Sequence, residues 1–82
     1  MSWRQLGSPQ HEELRRLLIE RRQRAALTQQ QVAERLGRPQ RFVSRVERGL
    51  HRVTVVELIE FGHALAFDPA AALRRVAKVP ER

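Results

Sequence analysis

The chain contains 82 residues, 41% hydrophobic and 30% charged, so it can form one small globular domain and not two. Without cysteine, and without an apolar run near the roughly 20 residues that cross a bilayer, disulfides, thiolate metal sites and membrane spans are excluded, and a soluble, cytoplasmic protein is expected. The formal net charge is +7, and 15 of the 16 basic residues are arginine.

The positive charge is concentrated in one stretch. Residues 35–52 contain six arginines and one glutamate, a net charge of +5, whereas residues 1–34 carry +2 and residues 53–82 carry no net charge. Arginine can bind phosphate or the edge of guanine through two hydrogen bonds, so this stretch indicates a nucleic-acid partner. A GC-rich genome also favours arginine over lysine, but it does not account for the clustering.

The first two predicted helices begin at recognisable caps. Ser8 followed by Pro9 is typical of a helix start, and apolar residues at helical spacing predict a first helix over about residues 10–25. Thr28 begins a capping box, and Gly37 suits a left-handed helix end. The second helix is therefore short.

Two further helices follow. Pro39 opens the third helix, which Gly49 closes. Thr54 begins a second capping box, and an apolar stripe that includes Ile59 predicts a fourth helix to about residue 66.

Asp68 and Pro69 start a fifth helix, with Leu73 and Val76 expected to face the core. A β-strand at Val53, Val55 and Val56 is the competing interpretation, but a lone strand would lack a partner for its backbone groups. The sequence thus predicts an all-α, compact five-helix bundle.

Only two residues, Gly37 and Arg38, separate the second and third helices, which favours a sharp corner and a helix-turn-helix. Successive helical residues are about 100° apart, so Phe42, Val43 and Val46 share one side of the third helix. The other side carries mainly hydrogen-bond donors: Gln40, Arg41, Ser44, Arg45 and Arg48.

An α-helix fits the major groove of B-form DNA, where arginine can bond guanine and glutamine can bond adenine. Four residues are accordingly predicted to contact bases: Gln40, Arg41, Ser44 and Arg45. A charged side on a short helix can also be merely solvated, and the local arginine density argues against that interpretation.

The segment LTQQQVAERLGRPQRFVSRVERG, residues 27–49, resembles the helix-turn-helix of the lambda-repressor and Cro-like family, also called the xenobiotic-response-element (XRE) type. The residues that match the family pattern are Leu27, Thr28, Gln29, Val32, Ala33, Gly37, Val43, Ser44, Glu47 and Gly49. The resemblance covers about residues 12–67. It implies a transcriptional regulator, a repressor, that binds a double-stranded DNA operator as a homodimer with its third helix in the major groove.

The resemblance also implies roles for individual residues. Gln29 is expected to hold a phosphate and brace Gln40, although plain helix-start polarity is the alternative. Arg22 is expected to pair with Glu47 and so tie the first helix to the third. Two arginines are expected at the DNA backbone, unless they are plain surface: Arg48 and Arg52.

Three positions depart from the family pattern. Ala26 stands where the family usually has glycine, so a left-handed residue there would cost about 1 kcal/mol unless the corner differs. Pro39 replaces the usual serine or threonine cap. Phe42 is bulky for its position, and it is expected to complete the core rather than touch a thymine methyl group.

The chain is predicted to have an N-terminal tail over residues 1–9, a DNA-binding domain over residues 10–67, and a short C-terminal helix and tail over residues 68–82. No enzyme, cofactor or metal site is expected, because the three histidines are scattered: His11, His51 and His63.

The alternative function is an antitoxin-type module that binds a toxin or other protein and autoregulates its operon. Its sign would be an exposed apolar surface, for which the candidates are Trp3, Leu6, Leu73, Val76 and Val79. Attachment of the first helix to a membrane surface is disfavoured by its three glutamates.

Overall fold

A computed structural model describes residues 7–80 of the chain, and Trp3 and Leu6 lie outside the described residues. Within that range the chain forms five α-helices: α1 Pro9–Arg24, α2 Gln29–Leu36, α3 Gln40–Glu47, α4 Val55–Leu65 and α5 Pro69–Ala77. The predicted all-α class is confirmed. The competing strand is wrong, because Val55 and Val56 form the first turn of α4.

Side-chain caps set most of the helix starts. The side-chain oxygens that accept a backbone N–H at these starts belong to Ser8, Thr28, Thr54 and Asp68. Both predicted capping boxes are complete; in the first, Thr28 Oγ1 accepts from the Gln31 N–H at 3.1 Å and Gln31 Oε1 accepts from the Thr28 N–H at 2.9 Å. Pro39 occupies the N-cap of α3 without a side-chain hydrogen bond, so its extended backbone alone directs the chain into the helix.

Left-handed residues end several helices. Gly37 has φ 69° at the end of α2, as predicted, and Ala26 adopts φ 59° despite its Cβ. Ala66 does the same after α4, with φ 60°. Each alanine precedes an apolar side chain that packs on the core, Leu27 and Phe67, and this packing offsets the roughly 1–2 kcal/mol cost of the conformation.

All five helices contribute to one core. Its buried members are Leu17, Leu18, Val32, Ala33, Val43, Val46, Leu58, Phe61, Ala64, Leu65, Phe67 and Ala72.

Arg75 ties α5 to α1, with its Nε 2.6 Å from Glu13 Oε2 and its Nη1 3.0 Å from Glu20 Oε1. The hydrogen bond from Arg75 lowers the pKa of Glu20. Across residues 7–80, none of the helices is long and apolar enough to cross a membrane.

Two apolar residues expected in the core are at the surface instead. Leu73 on α5 is 48% exposed and Ile59 on α4 is 43% exposed. The buried side of α5 is set by Ala72, and that of α4 by Leu58 and Phe61. Both exposed residues lie about 100° or more around their helices from those buried positions, so the prediction that they face inward is wrong.

Candidate nucleic-acid interface

The corner between α2 and α3 is built by backbone hydrogen bonds around Gly37. The Arg38 N–H donates to the Ala33 carbonyl at 3.0 Å, and the Gly37 N–H donates to the Glu34 carbonyl at 3.2 Å. These bonds satisfy carbonyls at the end of α2 and turn the chain sharply before Pro39. The result is the predicted helix-turn-helix, with α3 packed on α2.

The two sides of α3 differ in burial as the periodicity predicted. Val43 and Val46 are fully buried in the core. On the other side Ser44 is partly buried, and the remaining four predicted residues are exposed: Gln40, Arg41, Arg45 and Arg48. Arg52, in the loop after α3, is exposed as well. The arrangement presents several guanidinium groups and one amide to the surroundings, and their contact with DNA stays a prediction.

A buried carboxylate anchors α3 to α1. Glu47 is only 9% exposed, and the ion pair with Arg22 is present, with Arg22 Nε 2.6 Å from Glu47 Oε2 and Arg22 Nη2 3.0 Å from Glu47 Oε1. Arg22 Nη1 also donates to the Leu27 carbonyl at 3.0 Å. A buried charge needs such partners, and this bidentate pair fixes the direction of α3 relative to α1.

Two glutamine side chains connect the Glu47 carboxylate to the exposed side of α3. Gln29 Nε2 donates to Glu47 Oε1 at 2.9 Å, and Gln29 Oε1 accepts from Gln40 Nε2 at 3.4 Å. Gln29 therefore holds the first residue of α3 from the start of α2, and its contact with a phosphate stays a prediction.

Arg15 also contributes to this region, which the sequence analysis did not predict. Its Nη1 donates to the Glu47 carbonyl at 2.8 Å, which caps the end of α3, and its Nε donates to Glu12 Oε1 at 3.1 Å. The Cδ of Arg15 would lie 3.3 Å from a Cβ added at Gly49, where the backbone has φ 78°. The positive φ favours glycine at position 49, and a side chain there would also press on that of Arg15. No local pattern could predict contacts that span more than 30 residues.

Two arginines of the basic stretch are committed to the fold. Arg38 Nη2 donates to Glu60 Oε1 at 2.8 Å, and its guanidinium lies 4.5 Å from the ring centre of Phe42. Arg35 Nη1 donates to the Ala64 carbonyl at 2.9 Å. Phe42 is half-buried against the core, as expected, so its ring supports α3 from behind.

The loop after α3 is held at both ends. The Leu50 N–H donates to the Arg45 carbonyl at 2.8 Å, and His51 Nε2 lies 3.0 Å from Glu57 Oε1. Burial raises the pKa of Glu57, but hydrogen bonds from the Thr54 N–H and from His51 outweigh it, so the net pKa is lowered. The loop that carries Arg52 is therefore tied to the first turn of α4.

Comparisons with known proteins agree with this geometry. A family model described as a helix-turn-helix domain matches residues 13–76. An XRE-family like protein from Pseudomonas syringae pv. tomato str. DC3000 has a similar structure, with a TM-score of 0.78, 40% sequence identity and 83% coverage of each chain. No curated protein matches the chain significantly.

Two regulatory proteins have similar structures at lower identity. The clp gene regulator ClgR from C. glutamicum gives a TM-score of 0.74 at 28% identity, covering 83% of this chain and 88% of that one. The restriction-modification controller protein C.AhdI from Aeromonas hydrophila gives 0.68 at 28% identity, covering 73% of this chain and 87% of that one.

Proposed function

This chain belongs to the XRE family of helix-turn-helix transcription regulators, and we propose that it is a repressor that binds operator DNA as a homodimer through the major groove. The resemblance found in residues 27–49 is confirmed by the comparisons. The observation that carries the proposal is the two-sided character of α3. One side is fully buried, and the other presents exposed arginines and an amide next to a rigid corner.

Base contacts come from the first two turns of α3 in this proposal. Arg41 and Arg45 can each bond guanine O6 and N7, and Gln40 can bond adenine N6 and N7. The hydrogen bond from Gln40 to Gln29 restrains its amide before DNA arrives, so less side-chain freedom is lost on binding. Ser44 can bond either type of base from the centre of the same side.

Phosphate contacts flank these base contacts. Gln29 stands at the first position of α2, where free backbone N–H groups and the helix dipole attract anions. Arg48 and Arg52 follow α3 on the other side of the corner and can bind the backbone of the opposite strand of the groove. Such contacts set affinity and orientation, and the base contacts set selectivity.

The proposal is tested by binding to a duplex that carries the region upstream of the protein's own gene, titrated with salt. A regulator should bind this duplex at least about a thousandfold more tightly than random DNA, with an affinity that falls steeply as salt rises. A flat salt dependence together with tight capture of the protein encoded by an adjacent gene would instead support the antitoxin-type function.

Substitutions separate the base contacts from the phosphate contacts. Arg41→Ala or Arg45→Ala should each cost about 1–3 kcal/mol on the operator and relax the preference at one base pair. Arg52→Ala should weaken binding to all sequences evenly. Arg74→Ala, an exposed arginine on α5, is the matched control and should change neither quantity. Equal losses on operator and random DNA for Arg41→Ala and Arg45→Ala would refute the assignment of base contacts.

A further inference from the structure

Two side chains of α1 hold the loop that follows α3. Arg15 Nη1 donates to the Glu47 carbonyl at 2.8 Å, and His11 Nε2 lies 3.2 Å from the His51 carbonyl oxygen. A carbonyl oxygen only accepts hydrogen bonds, so His11 is the donor in the second contact. His11 and Arg15 are four residues apart and therefore share one side of α1. We call this pair the α1 clamp.

Each clamp contact falls on the peptide group that leads into an arginine expected at the DNA backbone. The Glu47 carbonyl and the Arg48 N–H belong to one planar peptide group. The His51 carbonyl and the Arg52 N–H belong to another. The Arg48 N–H also donates to the Ser44 carbonyl at 3.0 Å, so the first peptide group is held on both sides. The clamp therefore restrains the direction in which the backbone presents both arginine side chains.

The clamp is itself held in place by its neighbours on α1. Glu12 Oε1 accepts from Arg15 Nε at 3.1 Å and from Arg15 Nη2 at 2.9 Å, which orients the guanidinium. The Ser8 hydroxyl oxygen accepts from the His11 backbone N–H at 3.2 Å, which fixes the first turn of the helix. All three guanidinium nitrogens of Arg15 thus donate within the protein, so Arg15 acts on the loop rather than on a ligand.

We propose that the α1 clamp positions Arg48 and Arg52 for contact with the DNA backbone, an inference that rests on the proposed function for the role of these two arginines. A loop that is already held loses less conformational freedom when its side chains bind phosphate. Phosphate contacts carry no sequence information. The clamp therefore raises the affinity for all duplexes alike and leaves selectivity to α3.

Arg15→Met tests the clamp at its stronger contact, because methionine keeps an apolar stem beside Gly49 and removes the donors. It should weaken binding to operator and to random duplex by the same factor, about five- to tenfold, with base preference unchanged. Arg16→Met removes the same charge from an exposed neighbouring position and is the matched control; it should weaken binding by less than about twofold. An altered base preference for Arg15→Met, or equal losses for the two variants, would overturn the proposal.

A double-mutant cycle separates positioning from plain stabilisation of the fold. In a chain that already carries Arg48→Ala, Arg15→Met should weaken DNA binding by less than about twofold, because the contact that it positions is gone. His11→Phe keeps a ring but loses the donor, and its effect should shrink in the same way in a chain that carries Arg52→Ala. A merely structural role would give losses that multiply in full, and that result would overturn the proposal.

Amide ¹⁵N relaxation of the protein without DNA tests the clamp independently of the proposed function. The order parameters of residues 48–52 should fall in the double variant His11→Phe with Arg15→Met, and those of α2 should stay unchanged. Unchanged order parameters in the loop would overturn the proposal whatever the DNA measurements give. If Arg48→Ala and Arg52→Ala both left DNA binding unchanged, the phosphate contacts of the proposed function would be refuted, and with them the role of the clamp in binding. The relaxation data tell these two failures apart.

Discussion

Glu47 shows how one residue can organise the corner between α2 and α3. Its carboxylate accepts hydrogen bonds from Arg22 and Gln29, and its backbone carbonyl accepts one from Arg15. A carboxylate that is 9% exposed is costly to bury unless it is paired with an opposite charge and hydrogen-bonded. Both α1 and α2 are therefore held against the last turn of α3 by this one residue.

Removing the cationic partner tests this role. Arg22→Ala should lower the free energy of unfolding by about 3 kcal/mol, because Glu47 would remain buried without its charge partner. The double substitution Arg22→Met with Glu47→Leu should cost less than Arg22→Ala alone. Urea denaturation measures both. Arg24→Ala, at an exposed position on the same helix, is the control and should change stability by less than about 0.5 kcal/mol.

A smaller loss for Arg22→Ala than for the double substitution would contradict this account. It would mean that Gln29 alone satisfies the carboxylate.

At the scale of the element, the first turn of α4 combines a local cap with a tertiary contact. Thr54 and Glu57 exchange two hydrogen bonds within the capping box, and His51 adds a third to Glu57. The capping box involves residues only three positions apart, so it could be predicted from the sequence. The histidine contact depends on the path of the preceding loop, so the sequence alone did not indicate it.

The lowered pKa of Glu57 predicts a loss of stability in acid. A carboxyl with a pKa below its ordinary value of 4.5 stabilises the fold fully above that pH, and this contribution is lost as the pH falls through the lowered pKa. Glu57→Gln keeps the acceptor for the Thr54 N–H but cannot ionise. The stability difference between wild type and Glu57→Gln should therefore shrink as the pH falls below the ordinary value of 4.5 and through the lowered pKa of Glu57.

Urea midpoints at each pH measure this difference. Thr54→Ala is the comparison variant, because it should cost about 1 kcal/mol through loss of the cap hydroxyl with little change over the same range. A constant difference between wild type and Glu57→Gln would show that the lowered pKa contributes nothing to stability.

At the scale of the whole molecule, α5 is part of the folded unit rather than an appendage. Ala72 is buried, and Arg75 bridges to α1. A Cβ added at Gly62 would lie 2.7 Å from Pro69 Cγ, so α4 and α5 approach closely at their junction. The family model also continues to residue 76.

Shortening the chain tests this conclusion. A chain that ends at Phe67 should unfold at a temperature lower by roughly 10 °C or more, because it loses the buried Ala72 and the bridges from Arg75 to α1, and each kcal/mol shifts the midpoint by about 4–8 °C. Thermal unfolding followed by far-UV circular dichroism measures the midpoint. Removal of residues 81–82 alone is the control and should leave it unchanged. Equal midpoints for the two shortened chains would show that α5 does not stabilise the fold.

Three features could be predicted from the amino-acid sequence: the helix starts, the sharp corner and the outward side of α3. Each of these depends on residues within one or two turns of each other: the capping boxes at Thr28 and Thr54, the left-handed Gly37, and the alternation of Val43 and Val46 with arginines. Such signals act along the chain, so they can be recognised without knowing where the other helices lie.

The packing of the helices settles which of several apolar surfaces is buried and which arginines are paired within the fold. Ile59 and Leu73 are as apolar as their buried neighbours, and they stay outside because the other helices cover a different side. Arg15 and Arg38 look like Arg41 in sequence, yet they are held by Glu47 and Glu60. Burial and pairing depend on distances between segments far apart in the chain, which local periodicity does not specify.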